Sequence, residues 1–246
     1  MMKIIAIAFG TMVAAMSTTE ASELKLIAGG SLAGIFKQLG AQFEKASGHK
    51  LSIHFDSTPN IISRINAGTP FDVAVVPADV FKDAAAKSHF TDPVDIARVG
   101  YGVIVRAGAP KPDIASPDAF KTALLKATSV AFVPASAAGS HIAKVYERLG
   151  IAEEMKAKTK MLAAPTEIAP AVANGEAELG IFLTNVFNVS GIELAGFFPA
   201  DLQQELVFAA AVATGTIEPA AARALIDFLK TPTSAAAIQS GRMTPT

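Results

Sequence analysis

The chain has 246 residues, 51% of them hydrophobic and only 17% charged, so it can bury a sizeable core and build one large or two small domains. A formal net charge of −1, with no run of Lys or Arg, gives no electrostatic basis for nucleic-acid binding or for adhesion to an anionic membrane surface. With no Cys, disulfides, thiol chemistry and a lipid-modified cysteine are excluded.

Met1-Met2-Lys3 is a short positive start, residues 4–15 are apolar, and Ser17-Thr18-Thr19-Glu20-Ala21 is a small, polar run suited to signal peptidase. The apolar segment is too short to span a bilayer, and no stop-transfer pattern follows it. This layout predicts an export signal over 1–21 and a mature chain beginning at Ser22, exported to the periplasm.

From there, short apolar runs alternate with helical patterns, as β-α-β units around mostly parallel sheets do. Residues 24–28 read as a strand. Leu32, Ile35, Phe36, Leu39 and Phe43 then recur at helical spacing, and Gly48 stops that helix. A second strand spans 51–55. Thr58-Pro59 opens a helix with Ile61, Ile62 and Ile65 on one face. Asp72-Val73-Ala74-Val75-Val76 reads as a strand buried on both faces.

Residues 98–106 (RVGYGVIVR) form a long, glycine-interrupted strand pattern, and Ser116-Pro117-Asp118 opens a capped helix. Strand 129–133 leads through the small-residue loop 134–140 into a helix carrying Ile142, Val145 and Leu149. Glu153-Glu154 beside Lys156, Lys158 and Lys160 reads as a solvated helix face. Residues 166–173 read as helix, 179–183 and 205–213 as strands, and Glu218-Pro219 as the start of a helix bearing Leu225, Ile226 and Leu229. No repeat and no low-complexity linker divides the chain, so two lobes would have to be joined on strands.

The first strand runs into Gly29-Gly30-Ser31-Leu32-Ala33-Gly34, which is not G-x-G-x-x-G and is followed by no G-K-[ST]. Nucleotide cradles of both kinds are therefore excluded. What remains is a Ser at a helix start after a strand, and the device recurs at Ser57-Thr58-Pro59 and at Gly139-Ser140-His141. Helix starts expose unpaired N–H groups and a partial positive charge. Several at the carboxyl ends of strands form the ligand crevice of an open α/β sheet. Each Ser also has the plainer role of capping its own helix. None of these starts carries Lys or Arg, so an anion here would be held by neutral donors.

Catalytic constellations are poor. His49, His54, His89 and His141 show no metal-ligand spacing, and only His141 stands beside a candidate anion site. G-x-S-x-G, S-x-x-K with its partners and a Cys nucleophile are missing, which argues against an enzyme.

The run from Leu24 through Phe71-Asp72-Val73 resembles exported solute-binding proteins of the molybdate/tungstate-binding type. So do Ala138-Gly139-Ser140-His141-Ile142, Asn174-Gly175-Glu176-Ala177-Glu178 and Ala222-Arg223-Ala224-Leu225-Ile226, in order along the whole mature chain. The resemblance implies an α/β, type II periplasmic-binding-protein fold, two lobes each with a mixed, mostly parallel sheet flanked by helices. Lobe one would be 22–98 plus 198–246 and lobe two 99–197. It further implies a monomer that takes no cofactor, closes on a small anionic ligand and docks on an ABC permease.

By that resemblance Ser31, with Gly30 beside it, would supply the first hydroxyl, and Thr58 with Ser57 the second. Gly139 would give a backbone amide, with Ser140 and His141 next to it, and a further amide would come from near Thr166. Where such members often carry a Tyr, this chain has Leu183, followed by Thr184 and Asn185. The implied ligand is a molybdate- or tungstate-like oxyanion. The more apolar rim at Leu183 keeps a small carboxylate as the alternative.

Overall fold

The computed structural model describes residues 21–83 and 87–246; the expected export signal lies outside them, apart from Ala21. The chain opens with β1 (Glu23–Gly29), a single tight turn, α1 (Ala33–Ser47), β2 (Lys50–Asp56), α2 (Thr58–Asn66) and β3 (Val73–Pro77). Strands β1 and β2 run parallel in full register, from Glu23 opposite Lys50 to Gly29 opposite Asp56. Their carboxyl ends therefore lie side by side, next to the end of β3. Helix α1 buries Phe36, Leu39 and Phe43 and stops at Gly48, whose φ of 79° is open to glycine at no steric cost.

The expected long strand over 98–106 is two strands, β4 (Val94–Val99) and β5 (Tyr101–Arg106), which belong to different sheets. Gly100 is the change-over point. Next come α3 (Pro117–Lys126), β6 (Val130–Phe132), α4 (Ala137–Leu149), α5 (Ala152–Lys158), β7 (Thr159–Met161), α6 (Ile168–Ala173), β8 (Leu179–Leu183) and β9 (Ile192–Phe197). The chain then returns through 198–205 to β10 (Leu206–Val212), α7 (Pro219–Leu229), α8 (Pro232–Ser240) and β11 (Thr244–Pro245).

The first sheet has the order β11-β4-β10-β3-β1-β2 and the second β7-β6-β8-β5-β9. Both are mixed: β1 pairs parallel with β2 and β3 while β10 runs antiparallel, and β6 pairs parallel with β7 and β8 while β5 runs antiparallel. Alternation along each strand gives the first sheet two apolar faces. Leu24, Leu26, Ala28, Val73 and Val75 pack with Phe36, Phe43 and Leu225 of the helices on one side. Ile27, Ala74 and Val76 pack with Ile61 and Ile65 of α2 on the other. The second sheet is covered by Phe120 and Leu124 of α3, Ile142 and Val145 of α4, and Ile168 and Val172 of α6. Among the described residues no helix is long and apolar enough to cross a membrane.

Candidate ligand-binding cleft

The carboxyl ends of the strands of the two sheets face one another across a cavity of about 30 Å³. One wall is Gly29, Gly30, Ser31, Asp56, Ser57, Thr58 and Pro77; the other includes Val133, Ser136, Ala137, Ala138 and Pro165. Phe182, Leu183, Leu206 and Phe208 complete it with apolar surface. Contact across it is close: a Cβ on Gly30 would stand 3.5 Å from Pro165 Cδ.

Sequence reasoning expected Gly30, Ser31, Ser57 and Thr58 at a ligand, and all four line this cavity. Ser57 is the N-cap of α2 but makes no capping bond with its side chain. Its hydroxyl and those of Ser31 and Thr58 hydrogen-bond to no other described residue, so they are free to serve a ligand. The Thr58 amide, at the first position of α2, has no partner within its helix.

Helix α4 starts earlier than expected. Its N-cap is Ser136, whose Oγ accepts from the Gly139 amide at 2.9 Å and donates to the Val133 carbonyl at 2.8 Å. The Gly139 amide is thus already used, and the amides at the helix start are those of Ala137 and Ala138. Gly139 has a steric role: a Cβ there would stand 2.2 Å from the Val133 oxygen and 2.4 Å from that of Pro134. Ser140 is exposed and its hydroxyl donates to the Ser136 carbonyl at 3.1 Å, outside the cavity lining.

His141 also lies off the cavity. Its Nε2 is 3.0 Å from the Leu202 carbonyl, and its ring sits 4.5 Å from that of Tyr101. Thr166 and Asn185 line a neighbouring cavity of about 420 Å³ that shares Ser31 with the first. The Asn185 side chain donates to the Ser31 carbonyl at 2.8 Å.

Sequence reasoning passed over Asp56, Ser136, Ala137 and Ala138. Ser136, three residues before Gly139, carried the N-cap signal. Asp56 is the one ionisable side chain lining the cavity among the described residues. Its Oδ1 accepts from the Ser57 amide and from Asn60 Nδ2, both at 2.7 Å, and its Oδ2 accepts from His54 Nε2 at 3.2 Å. Burial raises its pKa, but the bonds from Asn60, Ser57 and His54 outweigh this and hold the carboxyl below the usual range. Asp56 is therefore ionised at neutral pH and weakly basic. Among the described residues no cluster of His, Asp and Glu could hold a metal ion.

Comparison with known proteins gives this geometry a family. A protein of a Pseudomonas species named aconitate isomerase is 30% identical over 239 residues, covering 94% of this chain and 90% of that protein. The molybdate-binding protein ModA of Azotobacter vinelandii is 27% identical over 226 residues, covering 90% and 89%. A solved structure of the periplasmic molybdate-binding protein of Azotobacter vinelandii superposes with a TM-score of 0.74 at 20% identity, over 90% of this chain and 98% of that one, a likeness of fold. The family model described as bacterial extracellular solute-binding protein matches residues 24–241, and the chain belongs to that family, as a divergent relative of its molybdate-binding members.

Proposed function

We propose that this protein is the periplasmic, ligand-capturing component of an ABC importer, and that it holds a small oxyanion of the molybdate or tungstate kind between two lobes, 22–98 plus 198–246 and 99–197. The observation that carries the reading is the convergence of the Ser31, Ser57 and Thr58 hydroxyls from one side with the start of α4 at Ala137 and Ala138 from the other. Neutral donors on both sides replace the hydration shell of an anion, and only the closed arrangement offers both sets at once. The export signal expected over 1–21 and the family to which the chain belongs support the periplasmic address and delivery to a permease.

A second reading, a small organic anion, is favoured by one feature of the wall. Phe182, Leu183, Leu206 and Phe208 give apolar surface that a carbon skeleton would use and a bare oxyanion would not. The relative named aconitate isomerase belongs with this reading. Turnover would need a proton acceptor at the cavity, and Asp56, the ionisable group on its wall, is held in its ionised, weakly basic form.

A ligand that binds only the folded chain raises its melting temperature. Molybdate, tungstate, sulfate, phosphate, cis- and trans-aconitate and a simple monocarboxylate should be compared by thermal shift. A rise with molybdate and tungstate alone is the expected result. A rise with the carboxylates alone transfers the site to the second reading, and conversion of one aconitate isomer into the other makes the protein an enzyme.

A further inference from the structure

We propose that Asn185 is a positioning residue that fastens Ser31 across the cleft and sets how long a captured ligand stays. The idea rests on the reading of the cleft as the ligand site. Asn185 lies in the short turn after β8, on the half built around the second sheet, and Ser31 lies just past β1 of the first. The two residues are 154 positions apart in the chain, each 8% exposed, and joined by the 2.8 Å bond from Asn185 Nδ2 to the Ser31 carbonyl.

The other polar atom of the same side chain, Oδ1, is buried with no hydrogen-bond partner. An acceptor buried without a partner is unfavourable, and separation of the two halves would return it to water. One side chain thus supplies a bond that exists only when the halves meet and an acceptor that is hydrated only when they part. The bond outweighs the stranded acceptor, but not by enough to hold the empty protein shut, so without ligand it divides between a closed and an open form. A ligand touching both Ser31 and the start of α4 tips the balance. In the closed form the Ser31 carbonyl is fixed from the far side, which keeps its free hydroxyl aimed at the cavity.

The test uses the full mature chain, sodium molybdate as probe, and the variants Asn185→Ala and Asn185→Asp. Ala removes the donor. Asp keeps the shape but sets a carboxylate oxygen against the Ser31 carbonyl, which burdens the closed form alone. Molybdate release followed by stopped flow should quicken roughly 3- to 10-fold in Asn185→Ala, the worth of one hydrogen bond converted to a rate. It should quicken further in Asn185→Asp, with the association rate constant within about twofold of wild type. Unchanged release in both variants overturns the proposal. Should the Asp variant not fold, the Ala variant decides.

A second measurement needs no ligand. Because the chain has no native Cys, spin labels can be placed at Lys45 in α1 and Lys144 in α4, both exposed, and their separation read by pulsed dipolar spectroscopy. Both variants should lose the population with the shorter separation. If molybdate fails to bind wild type, the oxyanion reading has failed and the label distances judge the link by themselves. Distributions equal to wild type in both variants would then overturn it.

Discussion

Gln203 grips Tyr101 by both of its main-chain groups. The Gln203 Oε1 accepts from the Tyr101 amide at 2.8 Å, and its Nε2 donates to the Tyr101 carbonyl at 2.9 Å. Tyr101 begins β5 just past Gly100, and Gln203 lies in the 198–205 return, so one side chain staples together the two segments that pass between the sheets. A Cβ on Gly100 would approach the Gln203 amide to 3.3 Å, so the residue at the change-over has little room for a side chain. Phe198 lies 5.5 Å from the Tyr101 ring, centre to centre, and shields the staple.

Gln203→Ala removes both bonds, each worth about 1 kcal/mol net. Urea unfolding should show a loss of about 1–3 kcal/mol, with a melting temperature lower by about 2–10 °C. Gln203→Glu retains the acceptor for the Tyr101 amide but sets an oxygen against the Tyr101 carbonyl, and should lose at least as much. Wild-type stability in both variants would mean that the crossing segments are held by packing alone.

Ser31, Ser57 and Thr58 bring hydroxyls with no described protein partner to the cavity, so deleting one removes no hydrogen bond of the empty protein. Ser31→Ala should weaken binding of the ligand identified by thermal shift by about tenfold or more, as expected for a hydrogen bond to a charged group. The melting temperature of the empty variant should stay within about 3 °C of wild type. Thr58→Ser should bind as wild type does and Thr58→Ala should not. Isothermal titration gives the affinities, and unaltered binding by Ser31→Ala would remove Ser31 from the site.

These hydroxyls were legible because each stands where a short apolar run gives way to a helical pattern, and that junction is local. The fully buried runs of β3 and β8 were legible for the same reason. Other features depend on distant parts of the chain. Residues 94–106 carry no local mark of a change of sheet; the change at Gly100 is settled by β10 pairing with β4 and by β8 and β9 pairing with β5. Ser136-Ala137-Ala138-Gly139-Ser140 offers two serines able to cap a helix, and the near contact of Gly139 with the Val133 and Pro134 carbonyls fits the choice of the first. β7 has three residues and β9 a weak apolar pattern, too little for periodicity to register. The partner of Asn185 lies 154 residues away, beyond any local pattern.

Gly139 and Ser140 are neighbours with opposite expected tolerance. A methyl at 139 would meet two carbonyl oxygens of its own loop at 2.2 and 2.4 Å, and backbone cannot swing aside as a side chain can. Gly139→Ala should therefore destabilise by about 3 kcal/mol or more, or displace the start of α4 and with it the Ala137 and Ala138 amides. Ser140→Ala, at an exposed position, should stay within about 0.5 kcal/mol and leave affinity unchanged. Chemical denaturation and titration of the two variants side by side check this. A loss of affinity in Ser140→Ala with intact stability would return that hydroxyl to the ligand site.

His141 makes the stability of the folded chain depend on pH. Burial disfavours its charged form and Lys144 adds to this, outweighing the Leu202 carbonyl and the Gln204 side chain, so its pKa lies below the ordinary value of 6.5. The carbonyl of Leu202 can only accept, so the neutral ring carries its proton on Nε2. The unfolded chain binds a proton at this residue more readily than the folded one does. Its contribution to stability is therefore fully present above pH 6.5 and is lost as pH falls from there through the lower folded value. His141→Gln keeps a donor but cannot titrate. Urea denaturation of wild type and variant at pH 8 and pH 5 should show a smaller acid loss in the variant, other groups cancelling in the comparison. An equal loss in both would show that the ring titrates alike in the folded and unfolded chains.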